Sequence, residues 1–561
     1  MSDNDLEATV RKYALQNAVL YSGKANPKAV QGKVLAEAPE LRSRVKEVLP
    51  LIASVVESVN DMPIAEQQRE LEAIDASLLR REKGERRTGL PALPGMERGK
   101  VVMRFAPGPS GPLHLGHTRV AVLNDEYCRT FDGTFINRIE DTNPERIDPA
   151  AYDMIPEDLE WLGVKVHRTV VQSDRFELYY DIARQLIELG RAYVCTCPAE
   201  EWRALKEKGV PCPHREEDAS TAMEKFERML AGQYGEEEAI FVVKTDLAHP
   251  NPAIRDFVGL RIVTSTPHPL KGSRYCVYPM MNFSVAVDDH LLGLTHVLRG
   301  KDHLNNTLRQ EYIFNYLGWK RPHYTHYGLV HVPDAILKTS TVGKGIKAGE
   351  YAGWDDVRLG TVRALAKRGF RPEAIRRFWV DCGVKETDIE FSWDNLYAYN
   401  KDMVDGTANR YFFVWDPVPL EVHGAEELRA RAPRHPDHPE RGNREFRLTA
   451  PITLYVVRKD LEAAMEAGRV RLKDLGNVEV RDGKAFYQGN DLSVLKEGYR
   501  IIHWVPTGSV PASVVMPTGE SRDGLVENVP KEEEGNVVQF ERFGFARVER
   551  TAPKLLAYFA H

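Results

Sequence analysis

The sequence predicts a multidomain α/β protein: a doubly wound parallel sheet split by an inserted α+β segment, then a helical region, then C-terminal β-barrels. Three observations carry this reading. From Val101 onward, short apolar runs alternate with helical patterns, the βα rhythm of a parallel sheet. The rhythm breaks between about Cys195 and Arg274, where strand-like runs such as IFVVKT and IRDFVGLRIVTS appear, and it resumes near Tyr278. After Trp415 the texture changes to short alternating apolar runs separated by Gly, Pro and Asn, as antiparallel barrels require. A chain of 561 residues is long enough to hold several such domains.

Composition removes several classes. With 42% apolar and 28% charged residues the chain reads as globular, not disordered or fibrous. No apolar run approaches the roughly 18 residues of a membrane span. The start, MSDNDLEATVRK, has no signal-peptide core, and six cysteines are too few for a disulfide framework. Both point to a reducing cytoplasm. The net charge of −6 does not mark a nucleic-acid binder, so any such surface has to be local.

Residues 1–95 alternate apolar and charged positions at helical spacing and predict a small helical appendix, read as solvated helices without chemistry. LPALPGMERGK then has the proline and glycine of a linker. The first half of the sheet, residues 100–194, holds the stretch on which the chain is organised, RFAPGPSGPLHLGHTR. A strand passes through a Pro/Gly turn into a helix carrying His114 and His117 on its first turn. Free amides and the positive end of a helix dipole meet there, and the two imidazoles add donors, which makes a phosphate site. The next apolar run, TFINRIEDTNPER, ends at Glu140, so that carboxylate belongs at the carboxyl edge of a strand, where open α/β sheets bind ligands. It suits a substrate ammonium.

In residues 195–275, Cys195 and Cys197 are matched by Cys212 and His214 at the same one-residue spacing. Three thiolates and an imidazole fit a structural zinc with no position left for water. Buried cysteines are the other reading, and both stay open at this point. Residues 276–335 return to the sheet rhythm, with Asp288 and Asp289 before a turn and a strand from Thr295 to Arg299. Residues 336–415 begin with a basic loop, ILKTSTVGKGIK, and continue helically. There RLGTVRALAKRGFRPEAIRR sets seven cations against one acid in twenty residues, a stripe able to track a phosphate backbone. Residues 416–561 form the barrel region.

PxPSGxLHLGH resembles the HIGH signature of the class I aminoacyl-tRNA synthetases, in the form shared by the glutamyl and glutaminyl members. The likeness continues through YPMMNFSVAVDDH, THVLRGKDH and GEYAGWDDVRLGTVRALAKRGF. It implies a Rossmann-like class I synthetase catalytic domain, an insertion that grips the tRNA acceptor end, and two barrels that read the anticodon, as in archaeal-type glutamyl enzymes. It implies ATP with Mg2+ held by Pro107, Ser110, His114, Gly116 and His117, and a mobile loop of the KMSKS type whose lysine is Lys338 or Lys344. Arg299 stands where glutamyl enzymes pair an arginine with the substrate carboxylate, with Arg104 as a second candidate and Glu140 on the ammonium side. Tyr278 and Asn282 complete the implied amino-acid pocket, although Met281 and Asn282 depart from the family's second tyrosine. The implied reaction charges tRNA(Glu) with L-glutamate, with tRNA(Gln) left open and no membrane partner. A glutaminyl enzyme is the nearest rival, and Arg299 argues against it. A compact nucleotidyltransferase or a noncatalytic tRNA scaffold leaves the cysteine insertion or the HLGH turn unexplained.

Overall fold

The computed structural model describes residues 3–20, 23–38, 41, 45–75, 78 and 89–561 apart from 334. The chain forms two compact units, Met1–Thr88 and Gly89–His561.

The first unit contains α1 (Asp3–Leu20), α2 (Pro27–Glu37), α3 (Val45–Asn60) and α4 (Ile64–Asp75). Val10, Ala14, Leu15 and Ala18 recur at helical spacing on α1 and are buried against Val30, Val34, Ile52, Val59 and Leu71. The helices therefore close on a core of their own. Asn26 caps α2 by accepting from the Lys28 amide, and Pro27 occupies the first turn where no amide partner is needed. The buried Gln67 amide donates to the carbonyls of Gly23 and Val59, tying α4 to the α1–α2 turn and to α3.

The second unit opens with β1 (Val102–Phe105), α5 (Leu115–Thr130), β2 (Thr134–Ile139), α6 (Ala151–Trp161), β3 (Arg168–Val171) and α7 (Phe176–Glu188). The strands β1, β2 and β3 pair in parallel, with Arg104 beside Ile136. An inserted antiparallel sheet follows, in the order β4 (Ala192–Cys195), β5 (Ile240–Val243), β6 (Phe257–Ile262), β7 (Val277–Pro279), with α8 (Ala199–Lys208) and α9 (Ala219–Leu230) between its first two strands. Then come α10 (Met281–Leu291), β8 (His296–Gly300), α11 (Leu304–Tyr316) and β9 (His323–Tyr327), with β8 and β9 parallel. Val102 and Thr295 exchange hydrogen bonds of 2.9 and 3.0 Å, which lays β8 beside β1 and joins the halves in the order β3–β2–β1–β8–β9.

Two details differ from the sequence reading. The inserted sheet takes in Ala192–Cys195 and Val277–Pro279, so it starts before Cys195 and ends after Tyr278. A short buried strand has the same apolar texture in either sheet, and only its pairing assigns it. Thr339–Lys347, read as part of a basic loop, is a helix, whereas Asp288 and Asp289 close α10 just before a turn at Leu292 and Gly293, as read.

Next come β10 (Val330–His331), α12 (Thr339–Lys347), α13 (Val362–Arg368), α14 (Pro372–Cys382), β11 (Ile389–Glu390) and α15 (Trp393–Val404). Among the described residues the C-terminal region holds two seven-stranded sheets. One is built on Pro417–His423, Ile452–Val457 and Gly476–Arg481, the other on Val510–Val515, Ser521–Val526 and Gly544–Arg550. Each has its own core, around Leu454, Val478 and Trp504 in one and Val514, Phe540 and Val548 in the other. No described helix is long and apolar enough to cross a membrane.

Candidate active site and metal centre

The HLGH turn is built on the end of β1. Gly111 has φ +149°, and a Cβ there would come within 2.8 Å of the Trp354 ring, so the turn passes the indole at a distance only glycine allows. His114 is the N-cap of α5, in extended conformation, and its Nδ1 accepts from the Gly116 amide at 3.1 Å. His117 Nδ1 accepts from the His114 amide at 3.4 Å. This is a capping box made of two imidazoles, whose rings stack 3.6 Å apart at 20°. Each Nδ1 spends its lone pair on an amide, so the ring proton sits on Nε2. Burial drives the His114 imidazole down to about 4 and that of His117 well below its ordinary value, the neighbouring ring adding to the effect for His117. The pair therefore offers two neutral N–H donors at a helix N-terminus.

Distant elements hold this turn. Asp158 of α6 accepts from the Leu113 amide at 2.7 Å, the Leu115 amide donates to Gly360, and the Val362 amide donates to Leu113. Burial raises the Asp158 carboxyl to about 6 against the opposing pull of that amide and Arg363. On α5, Thr118 accepts from the Trp379 indole at 2.7 Å, and Arg119 donates to the carbonyls of Gly328 and Gly383.

The depressed His114 value has a consequence that can be measured. Above pH ~6.5 the ring is neutral folded or unfolded and contributes nothing to the pH dependence of stability. As pH falls from ~6.5 to ~4 the unfolded chain takes up a proton that the folded chain refuses, so this residue removes roughly 3 kcal/mol of stability over that window. An NMR titration of the His114 ring is expected to show a midpoint near 4. A midpoint near 6.5 would show that water reaches the ring.

Beside the turn lies a cleft of about 490 Å³ lined by Ser110, Glu140, Thr142, Gln172, Arg261 and Met281 among others. The Pro107 carbonyl accepts from the Glu140 amide at 2.9 Å, which sets the Glu140 strand end against the turn. The Ser110 hydroxyl meets that of Thr339 at 2.8 Å, bringing the basic segment to the same place. That segment is α12. Lys338 is its N-cap residue, next to the Thr339 contact, and Lys344 lies further along; both are exposed.

Three buried guanidiniums stand behind the cleft. Arg138 is fully buried and donates to Asp289 at 2.7 Å and to Glu140 at 2.9 Å. Arg299 donates to Thr307 at 3.2 Å and to Gln310 at 3.0 Å, lies 3.7 Å from Asp289, and covers the Tyr324 ring at 4.6 Å. Arg104 reaches only the Leu298 carbonyl, at 3.2 Å, and its Nε has no partner. Burial lowers its guanidinium to about 10, and the nearby Arg138 and Arg299 add to the effect. Burial also raises the Glu140 carboxyl above its usual value, although Arg138 and Arg104 pull it down. Asp288 also acts on Arg138 and is paired with Arg175 at 2.8 Å, so four cations, Arg104, Arg138, Arg175 and Arg299, share three carboxylates, Asp288, Asp289 and Glu140.

Sequence reasoning missed Arg138. Its signal was an arginine two residues before Glu140, Arg138 inside β2 and Glu140 just past its end, a spacing that in an extended chain places both side chains on the same face. Asn282 begins α10 within 3.5 Å of Gln310. Tyr278 is not at the cleft: it is 1% exposed on β7 and packs edge-on against Phe176 at 5.4 Å.

A second constellation closes the start of the insertion. The ligand atoms of Cys195, Cys197, Cys212 and His214 all lie within 4.8 Å of one another, with Cys195 Sγ 3.7 Å from both Cys212 Sγ and His214 Nδ1. Tetrahedral ligands about 2.3 Å from a zinc ion would stand roughly 3.7 Å apart, so the donor set and its spacing fit that metal. Thr196 fixes the far nitrogen of the His214 ring at 2.9 Å, the kind of outer contact that orients a ligating imidazole.

A family profile described as tRNA synthetases class I (E and Q), catalytic domain, matches residues 100–405, and two described as anti-codon binding domains of the same group match residues 408–495 and 501–549. The chain belongs to the class I glutamyl and glutaminyl tRNA synthetases. A glutamate–tRNA ligase of Pyrococcus abyssi is 49% identical over 99% of this chain and 100% of its own length. One from Methanocaldococcus jannaschii is 49% identical over 97% and 98%. Among solved structures, a glutamate tRNA ligase of Elizabethkingia meningosepticum in complex with its amino acid is 22% identical, with TM-score 0.37, over 55% of this chain and 70% of that one.

In this synthetase the basic stripe of residues 358–377 is largely balanced by acids that lie outside it. Arg363 pairs with Glu157 and Asp158, Lys367 with Asp355, Arg358 with Asp356 and Arg376 with Asp125. Arg368 is buried and donates to the carbonyls of Phe559 and Ala560. The partners come from outside the stripe or curl back from its edge, so the local excess of charge does not survive folding.

Proposed function

We propose that this synthetase is a glutamate–tRNA ligase that activates L-glutamate with ATP and transfers it to the 3′ end of tRNA(Glu). The observation that carries the amino-acid assignment is the pocket's charge. Arg104, Arg138 and Arg299 are matched by Asp289 and Glu140, and Asp288, which also acts on Arg138, is taken up by Arg175, so a substrate carboxylate completes the set, whereas an amide would leave a buried cation unpaired. That argues against the glutaminyl reading. Arg299 and Arg104 are assigned to the side-chain carboxylate and Glu140 to the ammonium.

The α-carboxylate of glutamate attacks the α-phosphorus of ATP, and pyrophosphate leaves. The chain supplies alignment and donors for the charge that develops on phosphate oxygens. The Nε2–H groups of His114 and His117 are placed to serve the phosphates, with Gly116, Ser110 and Pro107 shaping the turn. Mg2+ bound with the nucleotide neutralises phosphate charge. Of the two lysines, Lys338 is favoured for the leaving pyrophosphate, since its neighbour Thr339 already touches Ser110. The ribose hydroxyl of the tRNA terminus then attacks the acyl carbon of the glutamyl-adenylate so formed, taking the glutamyl group and releasing AMP. The four-ligand cluster is assigned to a structural zinc, and the enzyme to the cytoplasm with no membrane partner.

Purified tRNA-Glu and tRNA-Gln transcripts, incubated with the full chain, ATP and labelled glutamate or glutamine, test the proposal. Glutamate on tRNA-Glu is the expected product. Transfer of glutamine would overturn the pocket assignment, and no transfer at all would overturn the activity.

A further inference from the structure

The Arg299 side chain is long, and only a fixed head discriminates one substrate terminus from another. Its Nη1 is held by the Gln310 amide oxygen at 3.0 Å and by the Thr307 hydroxyl at 3.2 Å. Thr307 is itself placed by His326 at 2.9 Å. Gln310 is fully buried, and its amide has a single workable orientation: the oxygen must face the guanidinium, so the NH2 faces Asn282 Oδ1 at 3.5 Å and Met281 Sδ at 3.9 Å. Those two residues start α10, and Met281 lines the cleft. Gln310 thus spans the distance between the buried cation and the cleft wall. It is also neutral. A carboxylate of the same shape at this point would pair with Arg299 and cancel the charge that the pocket holds in excess.

We propose that Gln310 is a positioning residue that sets carboxylate-over-amide specificity: it aims the Arg299 head while leaving its charge for the substrate. The inference rests on Arg299 reading the side-chain carboxylate of glutamate.

The test is aminoacylation of tRNA-Glu by the full chain, comparing wild type with Gln310→Glu and Gln310→Met, with KM and kcat resolved for glutamate, ATP and glutamine and with melting temperature recorded. Gln310→Glu is expected to raise the glutamate KM about tenfold or more and to shrink the glutamate-to-glutamine ratio of kcat/KM by a similar factor. The ATP KM should stay within about twofold. Gln310→Met, which keeps the size and loses the acceptor, is expected to raise the glutamate KM less and to leave the ATP KM alone. An unchanged glutamate KM in a folded Gln310→Glu chain overturns the inference, and so does a uniform fall in every parameter. If Gln310→Glu does not fold, the Gln310→Met glutamate KM decides in the same way. A wild-type chain that charges glutamine in place of glutamate overturns the underlying reading instead, and the two failures are told apart by that arm.

Discussion

Replacing Arg299 by alanine is expected to lower kcat/KM for glutamate by a factor of about 10²–10⁴ in tRNA charging, with the ATP KM nearly unchanged. The factor follows from the cost of stripping one partner from a buried, hydrogen-bonded charge pair, roughly 3–5 kcal/mol. In the free enzyme the change also strands the buried Gln310 oxygen, which accepts from this guanidinium, while the Thr307 hydroxyl keeps His326 and the His303 carbonyl. Asp289 keeps Arg138 at 2.7 Å, so the fold should survive the loss. Arg299→Lys should recover little, because a point charge cannot reach Thr307 and Gln310 and still present a fork to a carboxylate. A drop of less than about tenfold for Arg299→Ala would move the carboxylate to Arg104, whose unpartnered Nε is the next available donor.

The second large effect concerns the cluster at Cys195, Cys197, Cys212 and His214. The purified chain is expected to carry about one zinc per molecule, and Cys212→Ser to carry none. Structural zinc sites of this donor type are worth on the order of 10 kcal/mol at neutral pH, so the segment from β4 to Glu216 should become sensitive to protease when the metal is removed by a chelator. Metal content and limited proteolysis read the two halves of this expectation. Full occupancy in Cys212→Ser, or an unchanged digestion pattern after chelation, would rule out a tetrahedral site. Because all four positions are filled by protein, activity should track the integrity of the insertion and not metal chemistry.

How much of this was legible beforehand depends on how far apart the partners are in the chain. The HLGH turn was readable as a helix start because strand, Pro/Gly turn and helical pattern follow one another within a few residues, but that its two imidazoles cap the helix was not. The cysteine cluster was readable for the same reason, two one-residue pairs closing one loop. The basic stripe was only half legible: Asp355 and Asp356, which pair with Lys367 and Arg358, stand just ahead of it, but Glu157, Asp158 and Asp125, which pair with Arg363 and Arg376, are over two hundred residues upstream. Tyr278 misled differently: its strand joins the inserted sheet, which turns the ring into the Phe176 cluster, away from the cleft. Arg138, Gln310 and the neutral state of both histidines depend on burial, which a pattern of residue types does not report.

The HLGH turn lies near the start of the second unit, yet its last supports arrive late. Leu113 and Leu115 bond to Val362 and Gly360, Thr118 to Trp379, and Arg119 to Gly383. On a ribosome, therefore, the turn is exposed to the cell without these braces while some 260 more residues are made. A nascent chain halted before α14 has emerged therefore holds this turn without the braces of Trp379 and Gly383.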